Sequence, residues 1–231
     1  MPSKLSQLFN LALEIRKLPV ARLDFRLDIN PDDVRRMHAH FTKPHPKYKI
    51  FQNKSLGAAL VDLKRYPSAS DYMASIKGRN SAEHHAKKAR SRGYVVTEID
   101  KNDFIDELHD INTSLDSRQG RPMDEAYRQK KTYFRAEPNY KYFGVLNPAG
   151  KLTAYSDLGF YGNFVAFERL LGVRNNDGAM HLMVTEIICQ MIGSRAYGYL
   201  MYDTFFGASP GLRTFKTMLG FEPYRAKYSL Q

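Results

Sequence analysis

The 231-residue sequence predicts a mixed α+β fold in which an antiparallel meander leads into a parallel β-α-β unit. Three observations carry that expectation. Strand-like runs at Tyr140–Leu146, Leu152–Phe160 and Phe164–Val173 are joined by Asn147-Pro148-Ala149-Gly150 and Tyr161-Gly162-Asn163, connections rich in turn formers. Met180, Met183, Val184, Ile187, Ile188 and Met191 then fall at i, i+3, i+4, i+7, i+8 and i+11, one face of an α-helix. An apolar strand over Tyr199–Thr204 follows, then a helix over Pro210–Leu219 stopped by Gly220, and a last strand over Phe221–Tyr228.

The elements ahead of this run are read in order. A helix is expected over Ser3–Lys17, a strand near Leu23–Ile29, and a short helix opened by Asn30 as N-cap with Pro31 at its first position. Strand-like runs follow at Tyr48–Gln52 and Leu56–Leu63. One long helix is expected from Ser70 to Arg92, ended by Gly93. Tyr94–Ile99 reads as a strand, Asp100 or Asn102 caps a helix to Leu115, and a further helix is expected over Asp124–Tyr133. From residue 94 the order is therefore β-α-α-β-β-β-α-β-α-β, behind an N-terminal α/β extension. The natural division is an extension at 1–66, a possible remnant half-domain, and a domain at 67–231.

The chain is basic, with 35 lysines and arginines against 24 acids, and a net charge of +11. Residues 1–100 hold 19 basic and 10 acidic side chains, so nearly all of the excess lies in the front half. Its densest part is Lys77–Arg92, with six basic residues and one acid, Glu83. Such a distribution suits a phosphate-bearing partner reached from one side, or simply a soluble surface. The single cysteine, Cys189, excludes an intramolecular disulfide framework and reads as a small core residue. No secretory signal and no apolar run of the roughly 20 residues needed to span a bilayer is visible, so a cytoplasmic protein is expected.

Three passages carry a family likeness. The first is the basic stretch SIKGRNSAEHHAKKARSRGY, followed by DFIDELHDI; the second is SLDSRQGRPMDEAY. The third is MHLMVTEIICQMIGSRAYGYLMYDTFFGASPGLRTFKTMLGF, with a strand ending in Tyr-Asp and Phe-Lys ahead of Gly-Phe. Together, over residues 70–231, they resemble the GNAT-like acyltransferase superfamily. The nearer likeness is to its Fem-type (FemAB-like) branch, which includes aminoacyl-tRNA-dependent transferases. Fem-type proteins usually have two such domains, and here at most one is complete.

The resemblance implies an amine attacking an activated acyl carbon, which calls for donors aimed at the developing oxyanion and a route for a proton. It implies that the donor enters between the fourth and fifth strands of the domain, with its phosphates at the next helix N-terminus. That place is Arg174-Asn175-Asn176-Asp177-Gly178-Ala179, one residue longer than the usual acetyl-CoA motif. Arg174, Asn175, Asn176, Gly178 and Ala179 are the expected cofactor contacts; an ordinary strand-to-helix turn is the plain alternative. Asp177 would repel a pyrophosphate.

Lys216 is the leading catalytic candidate, implied to stabilise negative charge at the scissile acyl group or its leaving group. Its alternative is a solvated lysine. Tyr202 and Asp203 end a strand, where ligands of α/β sheets gather, and can serve as acid and amine-positioning group, or as plain strand-end residues. Tyr155 and Asp157 are two apart and share a sheet face. Asp157, in an apolar strand, is either a general base or amine-binding group, or a paired structural acid. Arg79, Lys87, Lys88, Arg90 and Arg118 are expected to meet substrate or nucleic acid, with Arg121 beside Arg118. His38, His40 and His45 match no zinc spacing, so no metal is expected.

The function expected is an N-acyltransferase moving an acyl group to an amine, with acyl-CoA narrowly favoured as donor. Alternatives are an aminoacyl-tRNA-dependent transferase, an enzyme that acylates nucleic acid (tRNA or DNA), and a non-catalytic binding module on the same fold.

Overall fold

The computed structural model describes residues 15–46, 49–118 and 121–231, with backbone alone at 118, 121 and 122. The helix expected over Ser3–Lys17 therefore lies almost wholly outside the described residues. One mixed sheet of eight strands organises the chain. Its strands are β1 (Val20–Phe25), β2 (Leu56–Asp62), β3 (Val95–Glu98), β6 (Tyr140–Leu146), β7 (Leu152–Phe160), β8 (Phe164–Gly172), β9 (Tyr199–Thr204) and β10 (Glu222–Leu230). A separate hairpin pairs β4 (Ser117–Arg118) with β5 (Arg121–Pro122).

The helices are α1 (Pro31–Thr42), α2 (Ala69–Ser75), α3 (Ala82–Ser91), α4 (Ile105–Thr113), α5 (Glu125–Arg128), α6 (Ala179–Ser194) and α7 (Pro210–Met218). The order expected from residue 94 holds: β3, α4, α5, β6, β7, β8, α6, β9, α7, β10, with the small hairpin added between α4 and α5.

Across the sheet the strands run β1-β10-β2-β9-β8-β7-β6-β3. The pairs β3/β6, β6/β7 and β7/β8 are antiparallel, and β8/β9 is parallel, as expected for a meander feeding a β-α-β crossover. Residues 1–66 supply β1, α1 and β2, and β2 sits between β9 and β10, antiparallel to both. Front and back segments thus share one core.

Alternation along the strands divides that core between two faces. On the first, Ala154, Leu158, Val165 and Phe167 meet the apolar side of α6, along with Tyr72 of α2 and Leu219 after α7. On the second, Phe164, Ala166 and Met201 meet Val34, Met37 and Phe41 of α1, while Tyr155 meets Leu108 and Ile111 of α4.

Several elements differ from expectation for visible reasons. The helix expected over Ser70–Arg92 is two helices. Gly78 (φ +154°) and Asn80 (φ +55°) leave right-handed space, and Ser81 restarts the chain as an N-cap, its Oγ accepting from the His84 N–H at 3.2 Å. The helix over Asp124–Tyr133 shrinks to the single turn α5. The strand near Leu23–Ile29 is β1, which ends at Phe25 before a turn. Of the run at Tyr48–Gln52, residue 48 lies outside the described set; the rest is turn-like, with Gln52 bridging Pro44. Asn30 caps α1 as expected, its Oδ1 accepting from the Asp33 N–H at 3.5 Å. Among the described residues no helix is long and apolar enough to cross a membrane.

Candidate active site

The parallel pair β8/β9 is short. It covers Phe164–Tyr199, Val165–Leu200 and Ala166–Met201, and then the strands part. Both strands carry a bulge at the parting. On β8, Glu168 is the extra residue between Phe167, opposite Leu158, and Arg169, opposite Asp157. On β9, Tyr202 and Asp203 oppose the single residue Ala59 of β2, and Asp203 takes φ +52°. Bulges re-aim side chains, and a non-glycine residue in left-handed space stores strain of a kind common at functional sites. A fork results, and the edge of β8 beyond Ala166 faces it without a partner strand among the described residues.

Lys216 meets the end of β9 beyond the parting. Its side chain is fully buried, and Nζ donates to the Thr204 carbonyl at 2.8 Å and lies 4.6 Å from the centre of the Tyr202 ring. Burial pushes the ammonium down to about 8, Asp203 partly offsets the shift, and Lys54 adds to it. Asp203 in turn pairs with Lys54 at 3.5 Å. On the first face, Tyr202 meets Phe167 (centroids 5.7 Å apart) and Phe215 (6.5 Å), and Phe215 meets His181 (4.8 Å). Burial lowers the His181 imidazole to about 4, so this aromatic throat is uncharged at neutral pH.

Glu168 was not among the residues expected from sequence. Its Oε1 is buried with no hydrogen-bond partner in the structure. Burial raises its carboxyl, Lys54 pulls the other way, and Asp33 and Asp203 raise it further. The signal was present in Phe164–Gly172, an apolar strand interrupted by an acid, the same argument that drew attention to Asp157.

Lys216, Tyr202 and Asp203 are thus brought together, and Tyr155 and Asp157 lie apart from them. Asp157 is buried and takes both oxygens to Lys101 Nζ, at 3.0 and 2.9 Å, with Arg169 Nη1 at 2.9 Å from Oδ2. Tyr155 shares that face, as expected: its hydroxyl donates to Asn112 Oδ1 at 2.7 Å, and its ring lies 5.7 Å from Lys101 Nζ.

The loop at 174–178 is engaged by α3 and the residues that follow it. Arg92 pairs with Asp177, the Tyr94 hydroxyl donates to Asp177 Oδ2 at 2.7 Å, and Lys88 Nζ donates to the Asn176 carbonyl at 2.7 Å. Gly178 has φ +85°, and a Cβ there would strike the His85 carbonyl oxygen, so the α3 backbone presses on the start of α6. Arg174 and Asn175 are exposed and Ala179 is buried. The basic helix spends its charge internally: Lys87 pairs with Glu83 and Arg90 with Glu186. Arg79 is exposed ahead of it. The Arg118 and Arg121 side chains lie outside the described residues. His38 lies edge-on to Phe25, and His40 beside Phe41. Among the described residues no group of three or more His, Cys, Asp or Glu side chains is placed to hold a metal ion. Cys189 is half-buried, its thiol pushed up to about 11 by burial.

No family model matches the chain, and no curated protein matches it in sequence. Solved structures do match its fold. FemX superposes with a TM-score of 0.53 at 11% identity, over 73% of this chain and 59% of its own. The chain has a GNAT-like fold, one it shares with FemX. The C-terminal domain (DUF2156) of a putative lysylphosphatidylglycerol synthetase from Agrobacterium fabrum gives 0.50 at 16% identity, over 72% of this chain and 57% of its own. A conserved protein of unknown function from Bacteroides thetaiotaomicron gives 0.50 at 18%, over 72% and 56%. The chain spans less than two thirds of each. At these identities the likeness is one of fold alone.

Proposed function

We propose that this protein is an N-acyltransferase that seats an activated acyl group in the β8–β9 fork and delivers it to an amine. The observation that carries this reading is the convergence of Lys216, Tyr202 and the strained Asp203 where two parallel strands part. Phosphate-bearing donors of the thioester and aminoacyl ester kinds both present the same acyl carbon. The aromatic throat of Phe167, Tyr202 and Phe215 suits the acyl chain and excludes water.

In the reaction the amine nitrogen attacks the carbonyl carbon, held against the free edge of β8, whose backbone N–H groups can take the developing oxyanion. Glu168, with its raised carboxyl, accepts the proton that the amine loses. The new C–N bond forms, the C–S or C–O bond to the donor breaks, and the leaving group takes a proton from the Lys216 ammonium. A lysine at about 8 suits both tasks at neutral pH: charged enough to attract the leaving group and acidic enough to protonate it. Tyr202 walls the fork, and Asp203, beside Lys54, holds the incoming ammonium, which releases one proton to solvent to become the attacking amine before Glu168 takes the second.

Acyl-CoA is the donor we favour, with the exposed Arg174 beside its phosphates. The pyrophosphate would then have to displace the Arg92–Asp177 pair. An aminoacyl ester carried by tRNA is the second reading, and the likeness to a putative lysylphosphatidylglycerol synthetase favours it. In either case the reaction is assigned to the cytoplasm. Mass spectrometry of molecules retained on freshly purified protein separates the donors. Recovered CoA supports the first, recovered tRNA the second, and failure of both to bind at micromolar concentration overturns the transferase reading.

A further inference from the structure

On the second face of the sheet, the cluster around Asp157 holds more positive charge than that one acid can balance. Lys101 alone reaches both oxygens of Asp157, at 2.9 and 3.0 Å, and Arg169 adds another cation to that carboxylate. Lys101 is further enclosed by Phe134 and Tyr142, their ring centres 4.6 and 4.9 Å from its Nζ. Burial lowers its ammonium, Asp157 pulls it back up, and Arg169 and Lys131 depress it further. Three cations therefore act on one another around a single buried carboxylate.

This surplus borders a pocket of about 50 Å³ lined by Arg169, Lys131, Tyr127, Tyr155, Phe134 and His109 among others, with no acidic side chain among its described walls. His109 Nδ1 is buried and has no hydrogen-bond partner in the structure. The Arg169 guanidinium lies 5.7 Å from the centre of the Tyr127 ring. A planar guanidinium between aromatic walls, already neutralising a carboxylate that has its own lysine, is built to receive a second carboxylate bidentately.

Position connects this pocket to the fork. The β8 bulge makes Glu168 and Arg169 consecutive residues, with Arg169 opposite Asp157 on the second face. Glu168 lies electrostatically close to Lys54, Tyr161 and Asp33, groups beneath α1 on that same face. We propose that the pocket holds a carboxylate of the acceptor, so that the acceptor is an amine that also carries a carboxylate, as an amino acid does. The proposal rests on the transferase reading of the fork. It adds to that reading the class of substrate that receives the acyl group: its amine lies at Glu168 and its carboxylate one residue further along β8.

Calorimetric titration of the full chain, with no donor present, tests the pocket by itself. The probes are glycine, alanine, lysine and glutamate, each against its own α-carboxamide. The free acids are expected to bind at least tenfold more tightly than the amides. Arg169→Gln is expected to remove that preference. Because Arg169 also holds Asp157, Lys131→Gln at an exposed position serves as a second variant, expected to weaken acid binding several-fold while leaving the Lys101–Asp157 hydrogen bonds in place. Equal binding of acids and amides, or acid binding that survives both variants, overturns the proposal. Acid-selective, Arg169-dependent binding in a protein that consumes neither acyl-CoA nor aminoacyl-tRNA upholds the pocket and overturns the fork reading alone. Transfer to amides as fast as to acids does the reverse.

Discussion

Two buried lysines sit in opposite settings. Lys101 is locked to Asp157 by two hydrogen bonds and boxed by aromatic rings, whereas Lys216 meets no carboxylate within hydrogen-bond reach and donates to a backbone carbonyl. Burial depresses both. The first lysine neutralises a charge that the sheet could not otherwise hold, so its site is part of the scaffold. The second keeps an ammonium that folding does not need, at the mouth of a fork in the sheet. A buried charge without a paired charge lowers stability, and a protein retains such a group where chemistry requires it.

The sharpest way to break that contrast is to remove the partner of the first lysine. Asp157→Asn leaves Lys101 and Arg169 facing each other without a counter-ion, and is expected to cost about 3–5 kcal/mol of stability. Urea unfolding measures it; a loss below about 1 kcal/mol would make the cluster peripheral.

Lys216→Met should do the opposite. It is expected to lower the rate of transfer about 10²–10³-fold, in line with loss of a charge-stabilising donor. It should also raise stability by about 1–2 kcal/mol, because the folded state no longer has to bury an ammonium. Activity and stability moving in opposite directions is the signature; a variant that loses both would place Lys216 with Lys101.

The pH dependence sharpens the same point. The folded pKa of Lys216, about 8, lies below its ordinary value of 10.5, so the unfolded chain binds more protons between those limits. Stability contributed by this group therefore rises as pH climbs from about 8 to 10.5. Transfer that depends on the ammonium falls over the same interval as it deprotonates. In Lys216→Met both trends should vanish.

The smallest effect is expected at Asp203. Glycine accepts φ +52° without strain, so Asp203→Gly should stabilise the fold by about 1 kcal/mol while slowing transfer. Destabilisation would mean that the ion pair with Lys54 outweighs the backbone strain.

Much of this architecture was legible in local pattern. The meander at 140–173, the α6 stripe and the closing helix and strand carry strong periodicity and turn signals, and each stands where expected. What escaped was non-local or conditional. Periodicity marked Leu56–Leu63 as a strand but holds nothing about its partners, so its seat between β9 and β10 was invisible. The split of Ser70–Arg92 turned on Gly78 and Asn80, which a helical charge pattern on both sides concealed. At the site, Tyr202 and Asp203 could be named because a strand end is local, and Lys216 because the family resemblance implies it. Glu168 carried a signal, an acid in an apolar strand, but the directions in which Glu168 and Arg169 point are decided by a one-residue bulge, and register is set by the neighbouring strand. The engagement of Asp177 by Arg92 and Tyr94 is likewise a matter of how α3 docks on α6.

The central claim is that acyl transfer runs through the β8–β9 fork on the charge of Lys216. Its most direct test is transfer of a mass-tagged acyl group from acetyl-CoA, and separately of lysine from lysyl-tRNA, to a panel of free amino acids by the wild-type chain and by folded Lys216→Met. Product is expected from one of these donors with wild type, and at least a hundredfold less with the variant. Undiminished transfer by Lys216→Met, or no product from either donor with wild type, would contradict it.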